Sequence, residues 1–283
     1  MRIFGVFSIL LLAISGAQAS TVIDLTTANA SDNTHSGATG GQFQVTQIQP
    51  SSTGTGVIDS FLRVHSNDPL EQGYNTSLST PLDDVGGNFT RTLALSEIPI
   101  INIGGTLYRQ FLLDINQDGS APKISLNQIQ IFQLTGDRND GSVSGPSSGS
   151  ASVISFAGNP TTTEVFRLNN SANANFLEIQ LDASLNSGSG SGDMFLYVRN
   201  SDFVPANGGN VILYSAFGIQ PGSTGTGNND GFEEWAVVGT SDVQCLPGEC
   251  TVNTPEISSL SLLGTAALFL IIPLRRRFGL RQA

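Results

Sequence analysis

The sequence predicts an all-β ectodomain, a β-sandwich or jelly roll, and three observations lead to it. Short runs rich in β-branched and aromatic residues recur along the chain, each of strand length and each bounded by Gly, Ser, Asn or Pro. Composition agrees, with 32 glycines and charged residues held to 12% of 283. No apolar repeat at helical spacing occurs away from the two termini, which disfavours folds that alternate parallel strands with covering helices.

From the N-terminus, residues 1–19 read as a secretory signal peptide. Arg2 supplies the positive start, 4–14 the apolar stretch, and Ala17-Gln18-Ala19 the small-x-small cleavage site. The ectodomain is expected over 20–242. Its candidate strands are 22–25, 43–48, 57–64, 89–95, 107–115 and 129–134, then 153–156, 163–168, 176–181, 194–198, 211–217 and 235–238. The Ser/Gly-rich stretches 140–152, 186–192 and 222–231 are short and flanked at once by strands, so they read as loops of one domain and not as linkers.

Residues 243–254 are expected to form a stalk. They hold the two cysteines, Cys245 and Cys250, around Leu246-Pro247-Gly248-Glu249. In an oxidising compartment such neighbours close a small disulfide loop, with Pro247-Gly248 supplying the turn. The two histidines, His35 and His65, are distant in sequence, so a zinc site is not expected.

Residues 257–274 carry no charged side chain and are followed by Arg275, Arg276, Arg277 and Arg281. At about 1.5 Å per residue an 18-residue helix spans roughly 27 Å, close to the hydrocarbon thickness of a bilayer. The positive end is held on the cytoplasmic side, which puts everything before Pro255 outside. Setting aside Arg2, the four tail arginines and Glu256 takes the 12 basic residues to 7 and the 23 acidic ones to 22, a net of −15 on the part between. Such a surface repels nucleic acid and anionic lipid and suits divalent cations or neutral glycans.

The order Pro255-Glu256, apolar span, Arg275-Arg276-Arg277 over residues 255–283 resembles the PEP-CTERM sorting signal of Gram-negative bacteria. That resemblance implies recognition by an exosortase-type membrane protease. It also implies a passage from an inner-membrane tether, with the body in the periplasm, to the cell surface or the exopolysaccharide matrix. Ile257 stands where that family usually has a second proline. Glu71-Gln72-Gly73-Tyr74-Asn75-Thr76, the 111–119 phrase, Ser125-Leu126-Asn127, Ile131-Phe132, 190–198 and Gly231-Phe232-Glu233-Glu234-Trp235 further resemble an ectodomain recurring among PEP-CTERM proteins, a likeness that implies no defined activity.

One stretch has the spacing of a metal loop. Asp114, Asn116 and Asp118 with Gly119 and Ser120 match the first half of an EF-hand-type calcium loop, in which glycine allows the bend that turns the oxygens to one ion. The second half does not match: Pro122 and Ser125 stand at places nine and twelve. Completion would fall to Asp193, Asp230, Glu233 or Glu234, and the alternative is a strand-ending turn held by Asp and Asn side chains.

Glu233 and Glu234, adjacent on a strand, point to opposite faces and do not form an acid/base pair. They are expected as surface charge beside a partly buried Trp235. A sugar-stacking platform of Trp235 with Tyr74, Tyr108, Tyr197 or Tyr214 competes with plain core packing. No nucleophile elbow, zincin motif or phosphate loop is present, and no catalytic residue is assigned. The expectation is a structural or adhesive surface protein; the alternative is a calcium-dependent carbohydrate-binding module, and behind it a polysaccharide-active enzyme.

Overall fold

The computed structural model describes residues 21–48, 58–78, 82–137, 143–144, 153–157, 162–170, 177–186, 190–218, 225–238 and 250–252. In chain order the strands are β1 (Thr21–Asp24), β2 (Ser31–Ser36), β3 (Gln42–Gln47), β4 (Ile58–Val64), β5 (Leu70–Tyr74), β6 (Leu93–Ala94), β7 (Ile100–Ile103), β8 (Thr106–Asp114) and β9 (Lys123–Leu134). They continue with β10 (Val143–Ser144), β11 (Ser155–Phe156), β12 (Thr162–Arg167), β13 (Leu177–Asp182), β14 (Met194–Arg199), β15 (Asn210–Gly218), β16 (Glu233–Val238) and β17 (Cys250–Val252). Among the described residues no helix is long and apolar enough to cross a membrane.

Two sheets carry the fold. The first runs β1-β13-β9-β15-β5, with β12 also on β9 and β6 also on β15. The second runs β17-β7-β8-β14-β3-β2, with β16 on β8 and β4 on β16. Pairing is antiparallel in these sheets except for β1 with β13. The sheets face each other across one apolar core. Ile129, Ile131, Ile179 and Leu213 enter it from the first sheet, and Phe61, Phe111, Leu196 and Trp235 from the second. This is a β-sandwich, and burial of these side chains is its main stabilising term.

Both outer faces are covered as well. On the first sheet Tyr74, Phe132, Ile212 and Tyr214 pack under the two-stranded ribbon β10–β11, through Val143, Ile154 and Phe156. On the second, Tyr108, Leu112, Phe195 and Tyr197 form a further buried cluster. Two-sided burial explains why 111–113 of β8, 194–198 of β14 and 235–238 of β16 read as continuous apolar runs and not as alternating ones.

Several boundaries differ from the sequence expectation. The strand expected over 89–95 is reduced to β6, because Glu97 turns back to accept the Ala94 N–H (2.7 Å) and winds Leu95–Glu97 into a 3-10 turn. Strand β9 starts six residues earlier than expected, at Lys123. Its polar Ser125, Asn127, Gln128 and Gln130 are buried among backbone groups, so polarity there does not mark a loop. Polar β2, β5 and the short β7 and β10 escaped the pattern altogether. Cys250–Val252, assigned to the stalk, instead adds to the sheet edge beside β7. The signal peptide 1–19, Cys245 and with it the disulfide, and the sorting signal 255–283 lie outside the described residues.

Candidate functional site

The register of the second sheet brings the C-terminal end of β8 beside the starts of β14 and β16, through Met194 opposite Leu113 and Glu234 opposite Asp114. In the first sheet Leu70 and Glu71 of β5 lie opposite Gly218 and Phe217 at the same end. Loops 65–69, 115–122, 190–193 and 228–232 therefore meet at one end of the sandwich. Asp68, Glu71, Asp83, Asp114, Asp193, Asp230, Glu233 and Glu234 gather there.

Asp114 is buried and faces out of the core. Gly190 N–H donates to its Oδ2 (2.6 Å) and Gly192 N–H to its Oδ1 (3.1 Å). Gly192 sits at φ +71, and a side chain there would strike Leu112 at 2.6 Å, so only glycine lets the loop close on the carboxylate. Asp193 is buried beside it and accepts from Ile115 N–H (2.8 Å). Burial pushes the carboxyls of both upward; the backbone donors offset part of this, while Glu234 raises Asp114 and Asp114 raises Asp193.

The loop that follows is pinned by other contacts than a metal would need. Asp118 is exposed, and its Oδ1 accepts from Ser120 N–H (2.7 Å) and Ser120 Oγ–H (2.6 Å), which lowers its carboxyl. The Asp118 N–H donates to Asn229 Oδ1 (2.9 Å), and Asn229 Nδ2 donates to Ala121 O (2.6 Å). Asn116 is half-buried, its carbonyl against Gly231. Thus the Asp114 oxygens turn to the 190–192 loop, and Asp118 with Ser120 closes an exposed turn. Among the described residues no group of three or more His, Cys, Asp or Glu is arranged to hold a metal.

The side chain that ties this end together is Gln117. Its Nε2 donates to Glu233 Oε1 (2.6 Å), Asn228 Oδ1 (3.2 Å) and Asp230 O (3.2 Å), and its Oε1 accepts from Asn229 N–H (3.0 Å). Asn228 in turn donates to Ser66 O (2.8 Å) and Asp68 O (3.2 Å). Sequence reading missed both residues, since a buried amide leaves no motif. It also missed the acidic pair at β5: Glu71 on the strand and Asp84, which accepts from Tyr74 N–H, are buried, and burial pushes Glu71 well up and Asp84 to about 8. Gly73 is required here, because a Cβ would lie 2.3 Å from Asp84 Oδ1 and 2.5 Å from Val64.

Glu233 and Glu234 do face opposite ways, but the expectation of surface charge is corrected: they are 0% and 3% exposed, and Trp235 is fully buried. Glu234 is held by Arg63 through Nη2 (2.7 Å) and Nε (2.9 Å) and by Ser60 Oγ–H (3.0 Å). The Arg63 guanidinium also packs on the rings of Phe89 and Phe232, 3.3 and 4.0 Å from their centroids.

The aromatic platform does not form. Trp235 points into the core, where its Nε1–H donates to Ser215 Oγ (3.0 Å). Tyr74 and Tyr214 belong to the outer cluster of one sheet, and Tyr108 and Tyr197 to that of the other. His65 contacts the Gly231 carbonyl through Nδ1. A body of this kind, a two-sheet β-sandwich with buried carboxylates at one end, is chemically equipped to hold protons there. No family model matches the chain, and no curated protein or solved structure matches it.

Proposed function

We propose that this is an exported protein of the cell surface or exopolysaccharide matrix, with a structural or adhesive role. In this reading residues 257–274 tether it to the inner membrane until an exosortase-type protease acts at Pro255-Glu256. The observation that carries the reading is the tail itself: an uncharged 18-residue run closed by Arg275, Arg276 and Arg277. Mass spectrometry of the mature C-terminus, with and without the host's sorting protease, tests it. A terminus near Pro255 only in the presence of the protease is expected; an intact Ala283 in both strains leaves a plain anchor and removes the sorting step.

The second reading is a calcium-dependent carbohydrate-binding module acting on the producer's exopolysaccharide. It is favoured by the crowding of carboxylates at one end of a body with a net charge of −15. Calcium titration followed by a glycan array tests it, and retention of no sugar in calcium removes it.

A further inference from the structure

We propose that Glu71 and Glu233 together take one divalent cation, calcium, clamped between the two sheets at the acidic end. The register sets the geometry. Ser215 lies opposite Gly73 in the first sheet, and Trp235 of the second sheet reaches across the core to donate to Ser215 Oγ at 3.0 Å. That contact defines one level at which the sheets face each other. Moving two residues toward the acidic end keeps the side-chain direction and leads from Gly73 to Glu71 on β5 and from Trp235 to Glu233 on β16. The two carboxylates therefore stand at the next level, one on each sheet, both directed inward.

Both residues are 0% exposed. Each has one oxygen satisfied by a neutral donor: Ser66 N–H on Glu71 Oε2 (3.2 Å) and Gln117 Nε2 on Glu233 Oε1 (2.6 Å). The other oxygens, Glu71 Oε1 and Glu233 Oε2, have no hydrogen-bond partner. Asn228 links the two sides, accepting from Gln117 and donating to the Ser66 carbonyl. Neither carboxylate is joined to Lys, Arg or His by any ion pair among the described residues. Buried carboxylates with no cation beside them stay ionised only at a high cost, and one dication would neutralise both in place of protons.

The groups beside the two glutamates are amides and backbone N–H and C=O, and the His65 ring is turned to the Gly231 carbonyl, so the donors on offer are oxygens, which selects a hard cation. Calcium accepts bidentate carboxylates and irregular geometry, whereas magnesium requires near-octahedral order and keeps its water. The glutamates provide up to four oxygens, and Asn228 Oδ1 and water complete the shell. This site borrows the Gln117 amide from the 114–120 loop but none of that loop's carboxylates, and it does not rest on glycan binding.

The test uses the full chain in detergent, stripped with EDTA and titrated with calcium chloride at pH 7.5. With calcium about a hundredfold above its dissociation constant, the midpoint of thermal unfolding should rise by roughly 5–10 °C. Glu71→Gln and Glu233→Gln should each abolish the rise, and Asp118→Asn should keep it. Terbium gives a readout that needs no variant: excitation of Trp235, the sole tryptophan and two residues from Glu233, should sensitise its emission, and calcium should quench it. A wild-type chain indifferent to calcium and dark with terbium overturns the proposal, as a proton-sharing pair would behave. So does a calcium response that survives both Glu→Gln changes, or one lost in Asp118→Asn alone, which would place the ion in the 114–120 loop.

Discussion

The two ends of the sandwich bury charge in different ways. At the acidic end the carboxylates of Glu71, Asp84, Asp114, Asp193 and Glu233 accept hydrogen bonds from backbone N–H groups or from a glutamine. Arg63 on Glu234 is the one Arg or Lys ion pair described there. At the opposite end Arg91 meets Asp59 (2.9 Å) and Glu97 (2.8 Å), and Arg167 meets Glu164 (3.0 Å). Arg109 donates to the Leu95 and Ile98 carbonyls (2.6 and 3.0 Å). Neutral donors in a low-dielectric site leave a carboxyl prone to hold its proton, whereas partly exposed ion pairs remain charged and are screened by salt. One end should therefore respond to pH and cations and the other to ionic strength.

The largest expected effect is of pH on the acidic end, measured by urea unfolding in EDTA. Glu71, Asp83, Asp84, Asp114 and Asp193 are all raised in the folded chain, chiefly by burial. Between the unfolded value near 4 and the folded one, the folded chain keeps protons that the unfolded chain has released. The stability they contribute is complete below about pH 4 and is lost as pH rises, for Asp84 through about 8. A fall of several kcal/mol between pH 5 and 8 is expected, and Asp84→Asn should flatten that slope. A stability that instead climbs over this range would reverse the picture of this end.

Arg63→Met comes next. It strands Glu234, whose side chain is only 4% exposed, and should destabilise by about 3–5 kcal/mol in chemical denaturation. Adding Glu234→Gln should restore most of that if the stranded charge is the cause. Gln117→Ala removes the donor to Glu233 and the tie to Asn228, for a loss of roughly 1–3 kcal/mol. The smallest effect belongs to the other end: Arg91→Gln breaks pairs with Asp59 and Glu97, whose side chains are 65% and 36% exposed, and should cost no more than about 1 kcal/mol. That loss should vanish in 1 M salt; if it persists, the two ends do not differ as described.

The strands that carry the central core were legible because Ile, Val, Leu and Phe repeat over strand lengths in β8, β14 and β15. Those missed are polar for reasons of partnership. Ser31–Ser36 reads as a loop until paired with β3, and Leu70–Tyr74 holds a glutamate, a glutamine and a glycine that make sense only against Ser66, Tyr214 and Asp84. At the candidate site, Asp114 and Asp193 were singled out and do lie together. Spacing along a loop suggested that Asp114 and Asp118 share a ligand, yet one is buried under Gly190 and Gly192 and the other closes an exposed turn with Ser120. Gln117, which joins three segments, carried no signal because an amide becomes informative only when its partners are in place.

From sequence alone came the all-β class, the opposed faces of Glu233 and Glu234, and the acidic balance of the body, since these follow from residue type, the two-residue pleat and simple charge. Pairing of distant strands decided the rest. It brought Glu71 and Glu233 to the same end of the sandwich, sank Glu233 and Glu234 out of water, and left Arg63 as the one arginine or lysine in an ion pair there among the described residues. Burial and facing depend on which strand lies across the core, and that is a property of the packed sheets and not of any short stretch of chain.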